Sequence, residues 1–273
     1  LLIHTFSHLR GIGIKREAAL WNSGVLTWDD LLGKAPCYPF ISHTLADQIA
    51  DSRLALERHD VVYFARRLPL SEYWRLFPYC HDSVVYMDIE CDHVGQPHEL
   101  ITTVALFDGR QIISYVNGID LPKVVATLSR YRLWITFNGA QFDLPKLRRH
   151  CRLSAPALHI DLKKLFHHLG VQGGLKKLET QFGLDRGPLT GADGYAAVRL
   201  WRRFQLTQCG KSLETLRAYN VIDALHLERL MIAAYNLAVE QTPFSEQLKI
   251  AYPTTPANPF TADRDILAAL GID

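Results

Sequence analysis

Ser83-Val84-Val85-Tyr86-Met87-Asp88-Ile89-Glu90 is the stretch on which the fold turns. Its β-branched and aromatic content predicts a short buried strand. Residues i and i+2 of a strand share a face, so Asp88 and Glu90 stand side by side at its C-terminal end. Two adjacent carboxylates repel each other and lose solvation, so a fold that places them together usually has a cation between them. Oxygen-only ligands select hard ions, Mg²⁺ or Mn²⁺. A lone D-x-E is common, however, and a solvated strand end explains it as well.

The neighbouring sequence supplies the context. Glu99–Gly118 reads as two strands joined at Asp108-Gly109, a hairpin signal whose glycine supplies a positive φ. Leu121–Tyr131 has helical spacing, Arg132–Gly139 is another apolar strand, and Phe142–Cys151 opens a helix. Ala157–Asp161 is a fifth short strand, with Asp161 placed to cap the next helix. Three further helical stretches come after it, the last a long one from Ser212 to Ala238. The order β-β-β-α-β-α-β-α predicts an α/β fold with a mixed five-stranded sheet flanked by helices. Residues 1–80 read as a helical region, 81–240 as the sheet domain, and 241–273 as a Pro-rich tail ending in one short helix.

Composition agrees with that organisation. The 273 residues are 48% hydrophobic and 21% charged with a net charge of +2, which excludes disordered, collagen-like and disulfide-framework classes. No apolar run approaches the ~20 residues of a membrane span, and the N-terminus lacks a secretory pattern. A chain that opens at Leu1 is expected to be trimmed or part of a longer protein. Cys37, Cys80, Cys91, Cys151 and Cys209 are odd in number with no C-x-x-C pair, so a reducing, cytoplasmic compartment is expected and a structural zinc site is not. Lys146, Arg148, Arg149 and Arg152 make a locally basic stretch that permits a polyanionic substrate.

Two more acidic stretches accompany the first. Phe137-Asn138-Gly139 ends a strand and Phe142-Asp143 opens the next helix, while Tyr219 and Asp223 lie four apart on one helical face. D-I-E on a first strand, N-G-x-x-F-D after the fourth and Y-x-x-x-D on a late helix together resemble the three exonuclease motifs of the DEDD superfamily. The Tyr marks its DEDDy branch, and the chain looks like the YprB-type ribonuclease H-like proteins over about residues 1–240. The resemblance implies a ribonuclease H-like fold and a metal-dependent 3′→5′ exonuclease acting on single-stranded DNA or RNA ends. Asp88, Glu90, Asp143 and Asp223 would hold two Mg²⁺ or Mn²⁺ ions about 3.5–4 Å apart, and the Tyr219 hydroxyl would orient the attacking water rather than act as a base. Asn138 would contact the nucleic acid. A ribonuclease H-like endonuclease and a catalytically silent nucleic-acid-binding module are the alternatives. Cys91-Asp92-His93 stands where many relatives have Thr-Thr, and no role is assigned to Asp92 or His93.

In the N-terminal region, Gly11-Ile12-Gly13 followed by Ile14–Ala18 resembles the hairpin of a helix-hairpin-helix element. Gly11 and Gly13 would let the backbone approach a phosphate, with Lys15 adding charge; a plain packing turn is an equal alternative. His4 and His8, four apart, are expected in a surface or capping role rather than as metal ligands. His167 and His168, beside Lys163 and Lys164, are expected on a solvated helix face. Trp134 and Trp201 are expected in the core.

Overall fold

Alternation along the decisive strand sets the architecture. In the computed structural model, β1 (Val84–Asp92) sends Val85, Met87, Ile89 and Cys91 into one apolar layer. Tyr86, Asp88 and Glu90 face the opposite way, as a period of two requires. β2 (Leu100–Phe107) and β3 (Ile112–Val116) run antiparallel in turn, joined through Gly109 at φ 87°. β4 (Leu133–Thr136) and β5 (Leu158–Asp161) are parallel to β1, giving the order β3-β2-β1-β4-β5. The α/β class and the mixed five-stranded sheet are those expected from the sequence. The structure describes residues 1–38 and 44–271; residues 39–43 of the expected helical region and 272–273 of the expected tail lie outside the described residues.

The chain divides into two compact units, Leu1–His81 with Ala234–Ala251 and Asp82–Ala233 with Tyr252–Asp273. In the first, α1 (Ile14–Asn22), α2 (Trp28–Lys34), α3 (Leu45–Glu57) and α4 (Val61–Ala65) are short. α2 starts at a capping box in which Thr27 and Asp30 satisfy each other's backbone N–H groups. Trp28 stacks on Phe64, and Trp74 meets Tyr235 edge to face. Beneath them Arg75, 3% exposed, bonds Glu17 and Glu72 at 2.7 Å each. Glu17 also accepts the N–H groups of Phe6 and Ser7 at 2.5 and 2.8 Å.

The expected surface or capping role is corrected here for His8. His8 is buried between Trp28 and Phe64 with Nε2 on the Ser52 hydroxyl, and burial, aided by the charges of Arg67 and Arg75, drives it down to about 3. His4 stacks on Phe244 and bonds the Leu26 carbonyl through Nδ1. A neutral, buried imidazole such as that of His8 packs like another aromatic, whereas His4 is half-buried.

In the second unit the layer beneath β1 is closed by α5 (Val124–Leu128) and α6 (Asp143–Cys151), with Trp134 inside it. α7 (Leu162–His168) and α8 (Leu175–Gln181) lead to α9 (Gly194–Thr207) and α10 (Gly210–Glu240), whose apolar residues join Val116 and Trp201 in a second layer. α11 (Ser245–Leu248) belongs to the first unit, and α12 (Arg264–Ala269) adds Ile266 and Leu267 to the second layer. None of the five cysteines forms a disulfide among the described residues. No helix among the described residues is long and apolar enough to cross a membrane.

Removing one member of a buried ion pair strands the other. Glu17→Ala should therefore cost about 3–5 kcal/mol of unfolding free energy, read from the urea midpoint. A cost below about 1 kcal/mol would show that the N-terminal loop does not depend on this carboxylate.

Candidate metal centre

Asp88 and Glu90 are half-buried on the face of β1 that meets α10, and α10 brings Asp223 to them. One carboxylate oxygen from each of the three lies within 4.8 Å of the others. Asn220, one turn before Asp223 and fully buried, donates its amide to the Asp88 carbonyl at 3.1 Å and to Asp88 Oδ2 at 2.7 Å. That pair of bonds fastens the helix to the strand at the cluster itself. Asp143, at the first turn of α6, is 3% exposed. It borders the three carboxylates without belonging to the 4.8 Å set.

Burial is the largest cause raising each of these groups. Asp88 and Glu90 are driven well above the usual carboxylate range, with the charge of Asp223 next in effect on both. Asp143 is pushed up to about 7. Asp223 is raised as well, with the Arg186 guanidinium holding the rise back. Mutually repelling carboxylates, with neither nitrogen nor sulfur among the donors, fit a hard divalent cation.

Two basic residues that the sequence did not single out stand against the cluster. Arg186 bonds Asp223 and, at 2.7 Å, Glu179 through Nη1, and Glu179 in turn bonds His226 Nδ1 at 2.7 Å. Lys176 donates to the Tyr219 hydroxyl at 2.8 Å and to the Ala192 carbonyl. Tyr219 is 2% exposed, and burial with the charges of Asp223 and Glu90 pushes its phenol well up, so it stays protonated. No short motif flags Arg186 or Glu179, because Asp223 and His226, the partners that tie them to the cluster, lie 37 and 47 residues away. Asn220 and His226 are neighbours of the Y-x-x-x-D pattern and carried that much signal.

The loop before Asp143 is held from β5. Asp161 caps α7 through the Lys163 N–H at 3.1 Å, as expected, and also accepts the N–H groups of Asn138 and Ala140 at 2.8 and 3.1 Å. Asn138 is left-handed, φ 63°, a conformation asparagine tolerates. A Cβ on Gly139 would sit within 2.5 Å of Thr136 Cβ, so only glycine fits there.

Asp92 lies two residues beyond Glu90 on the same face, yet Arg202 of α9 binds both its oxygens at 2.9–3.2 Å and lowers its pKa against the effect of burial. It is thereby occupied outside the cluster, and His93 comes next at φ 54°. Of the residues expected to touch nucleic acid, Asn138 lies beside the cluster's loop, whereas Gly11, Gly13 and Lys15 belong to the first unit. There Gly11 has φ 87°, Gly13 is the N-cap of α1 and Lys15 is exposed.

A family profile described as RNase_H superfamily matches residues 85–235. No curated protein matches the chain. Among solved structures it is similar to the family B DNA polymerase from the hyperthermophilic archaeon Pyrobaculum calidifontis, at 17% identity and a TM-score of 0.42. That match covers 60% of this chain and 26% of the polymerase, so the chain spans about a quarter of the polymerase's length.

Raised carboxyls carry a sign that can be tested. The metal-free folded chain keeps on Asp143 a proton that the unfolded chain has released above about pH 4, so that residue's contribution to stability falls as pH rises through about 7, and Asp88 and Glu90 shift in the same direction. A divalent ion replaces those protons. The increase in Tm produced by saturating Mn²⁺ should therefore grow from pH 5 to pH 8, and Asp88→Ala should flatten that growth. A shift independent of pH would show that the ion binds elsewhere.

Proposed function

The chain belongs to the RNase H superfamily, and from that membership we propose that it is a nuclease, a 3′→5′ exonuclease on single-stranded DNA or RNA ends. The observation that carries the proposal is the convergence of Asp88, Glu90 and Asp223 within 4.8 Å, with Asp143 bordering them. These four carboxylates would hold two Mg²⁺ or Mn²⁺ ions. Bound there, such ions supply Lewis-acid stabilisation of the phosphoryl oxygens and an activated water.

The chain's own residues do the positioning. Tyr219 accepts a hydrogen bond from Lys176 and keeps its own proton, so its O–H is available to donate to the oxygen of the attacking water or of the phosphate. Its raised pKa supports a role as donor rather than base. Asn220 fixes the Asp88 carboxylate, and Arg186 fixes that of Asp223, so neither ligand has to reorganise during the reaction. Gly139 and Asp161 set the loop that leads into Asp143.

The deciding experiment is a denaturing gel of a 5′-labelled single-stranded oligonucleotide incubated with Mn²⁺, beside an EDTA lane. A ladder that shortens one nucleotide at a time, lost in EDTA, is the expected result; discrete internal cuts would move the assignment to an endonuclease of the same fold. Asp88→Ala should abolish cleavage, well beyond the roughly 10–100-fold loss typical of an outer-shell partner, while leaving the chain folded because it relieves repulsion. Full activity in that variant would overturn the site. Tyr219→Phe should lower kcat about 10²-fold with KM unchanged; an equal loss in both would make Tyr219 a binding residue instead.

A further inference from the structure

A groove of about 480 Å³ lies beyond the C-terminal ends of β4 and β5. One wall is the 137–142 loop, through Asn138 and Gln141; the other is α7 and the turn after it, through Lys163, Lys164, His167, Val171, Gln172, Gly173 and Gly174. The C-terminal edge of parallel strands is where open α/β sheets bind ligands. Every ionisable side chain lining this groove is basic. Lys163 makes one long contact, 3.4 Å to Asn138 Oδ1, and neither it nor Lys164 is paired with a carboxylate among the described residues. The nearby Asp161 is 7% exposed and committed to three backbone N–H groups.

The same loop runs from the groove into the cluster. Asn138 and Asp143 are five residues apart, so less than about 18 Å separates them even at full extension. The loop is folded back, with Phe142 and Gln141 N–H groups both on the Asn138 carbonyl at 3.1 Å. The lining offers ammonium groups, amides and an imidazole, the groups that contact phosphate and sugar, and no Phe, Tyr or Trp ring on which a base could stack.

We infer that this groove seats the phosphodiester backbone of the single strand whose end is at the cluster, with Lys163 and Lys164 as its phosphate contacts. The inference rests on the nuclease function proposed above and adds the path of the strand and the way it is read. Binding through lysines alone is indifferent to base sequence and steeply dependent on salt.

The test is binding, measured without turnover: fluorescence anisotropy of labelled oligo-dT and of a mixed-sequence strand, in Ca²⁺, across a salt series. Lys163→Gln/Lys164→Gln should weaken both strands at least tenfold and reduce the slope of log K against log salt by about 1.4, at roughly 0.7 per lost contact. Both lysines are exposed, and the far-ultraviolet melting curve should be unchanged. An unchanged slope, or a loss confined to one sequence, would overturn the inference. Cleavage of a nucleoside 5′-phosphate nitrophenyl ester, too short to reach from the cluster into the groove, separates the two proposals. If the wild type cleaves it and the salt slope does not move, the groove is wrong and the nuclease stands. If the slope falls but no substrate is cleaved, the groove binds nucleic acid in a chain that is not a nuclease.

Discussion

Bringing like charges together under a protein surface is the constraint around which the second unit is organised. Asp88, Glu90 and Asp223 share less space than their mutual repulsion allows in isolation, and Asp143 adds a fourth carboxyl against the backbone of the same strand. Two neighbours moderate that cost: Asn220 donates to Asp88 and Arg186 to Asp223. Strand alternation does the rest: Val85, Met87 and Ile89 anchor β1 in an apolar layer, so the carboxylates on the other face have nowhere else to go.

The same alternation is why so much of the fold could be read from residues. An eight-residue apolar run ending in two acids has one plausible secondary structure, and the Asp108-Gly109 turn makes the next two strands an antiparallel pair. The sequence was less informative where a side chain's neighbours come from distant segments. Arg186 looks like any arginine in a glycine-rich turn until Glu179 and Asp223 are seen on either side of it. His8 looks like half of an exposed pair until Trp28 and Phe64 enclose it. Asp92 continues the acidic face of β1 in sequence, and only the fold supplies Arg202 to take it out of play.

Asp161 shows a single residue serving two structures at once. As the N-cap of α7 it is the standard device that local spacing predicts. Its second task, holding Asn138 and Ala140, cannot be inferred locally because it depends on β4 and β5 lying side by side in register. Through it, the wall of the basic groove and the approach to Asp143 form one preorganised piece. A strand that docks there meets a formed surface, and the ordering entropy falls on the nucleic acid rather than on the protein.

Arg186 and Lys176 have a consequence for how the chain is made. Because these resident cations partly neutralise the carboxylates, collapse of the sheet onto α10 does not have to wait for a metal, unlike small domains whose folding is their metal binding. On the function proposed above, the ion would be the last component to join a finished scaffold. Its identity would be set in part by which hard divalent cation the surroundings supply, and a chelator would remove it without undoing the fold.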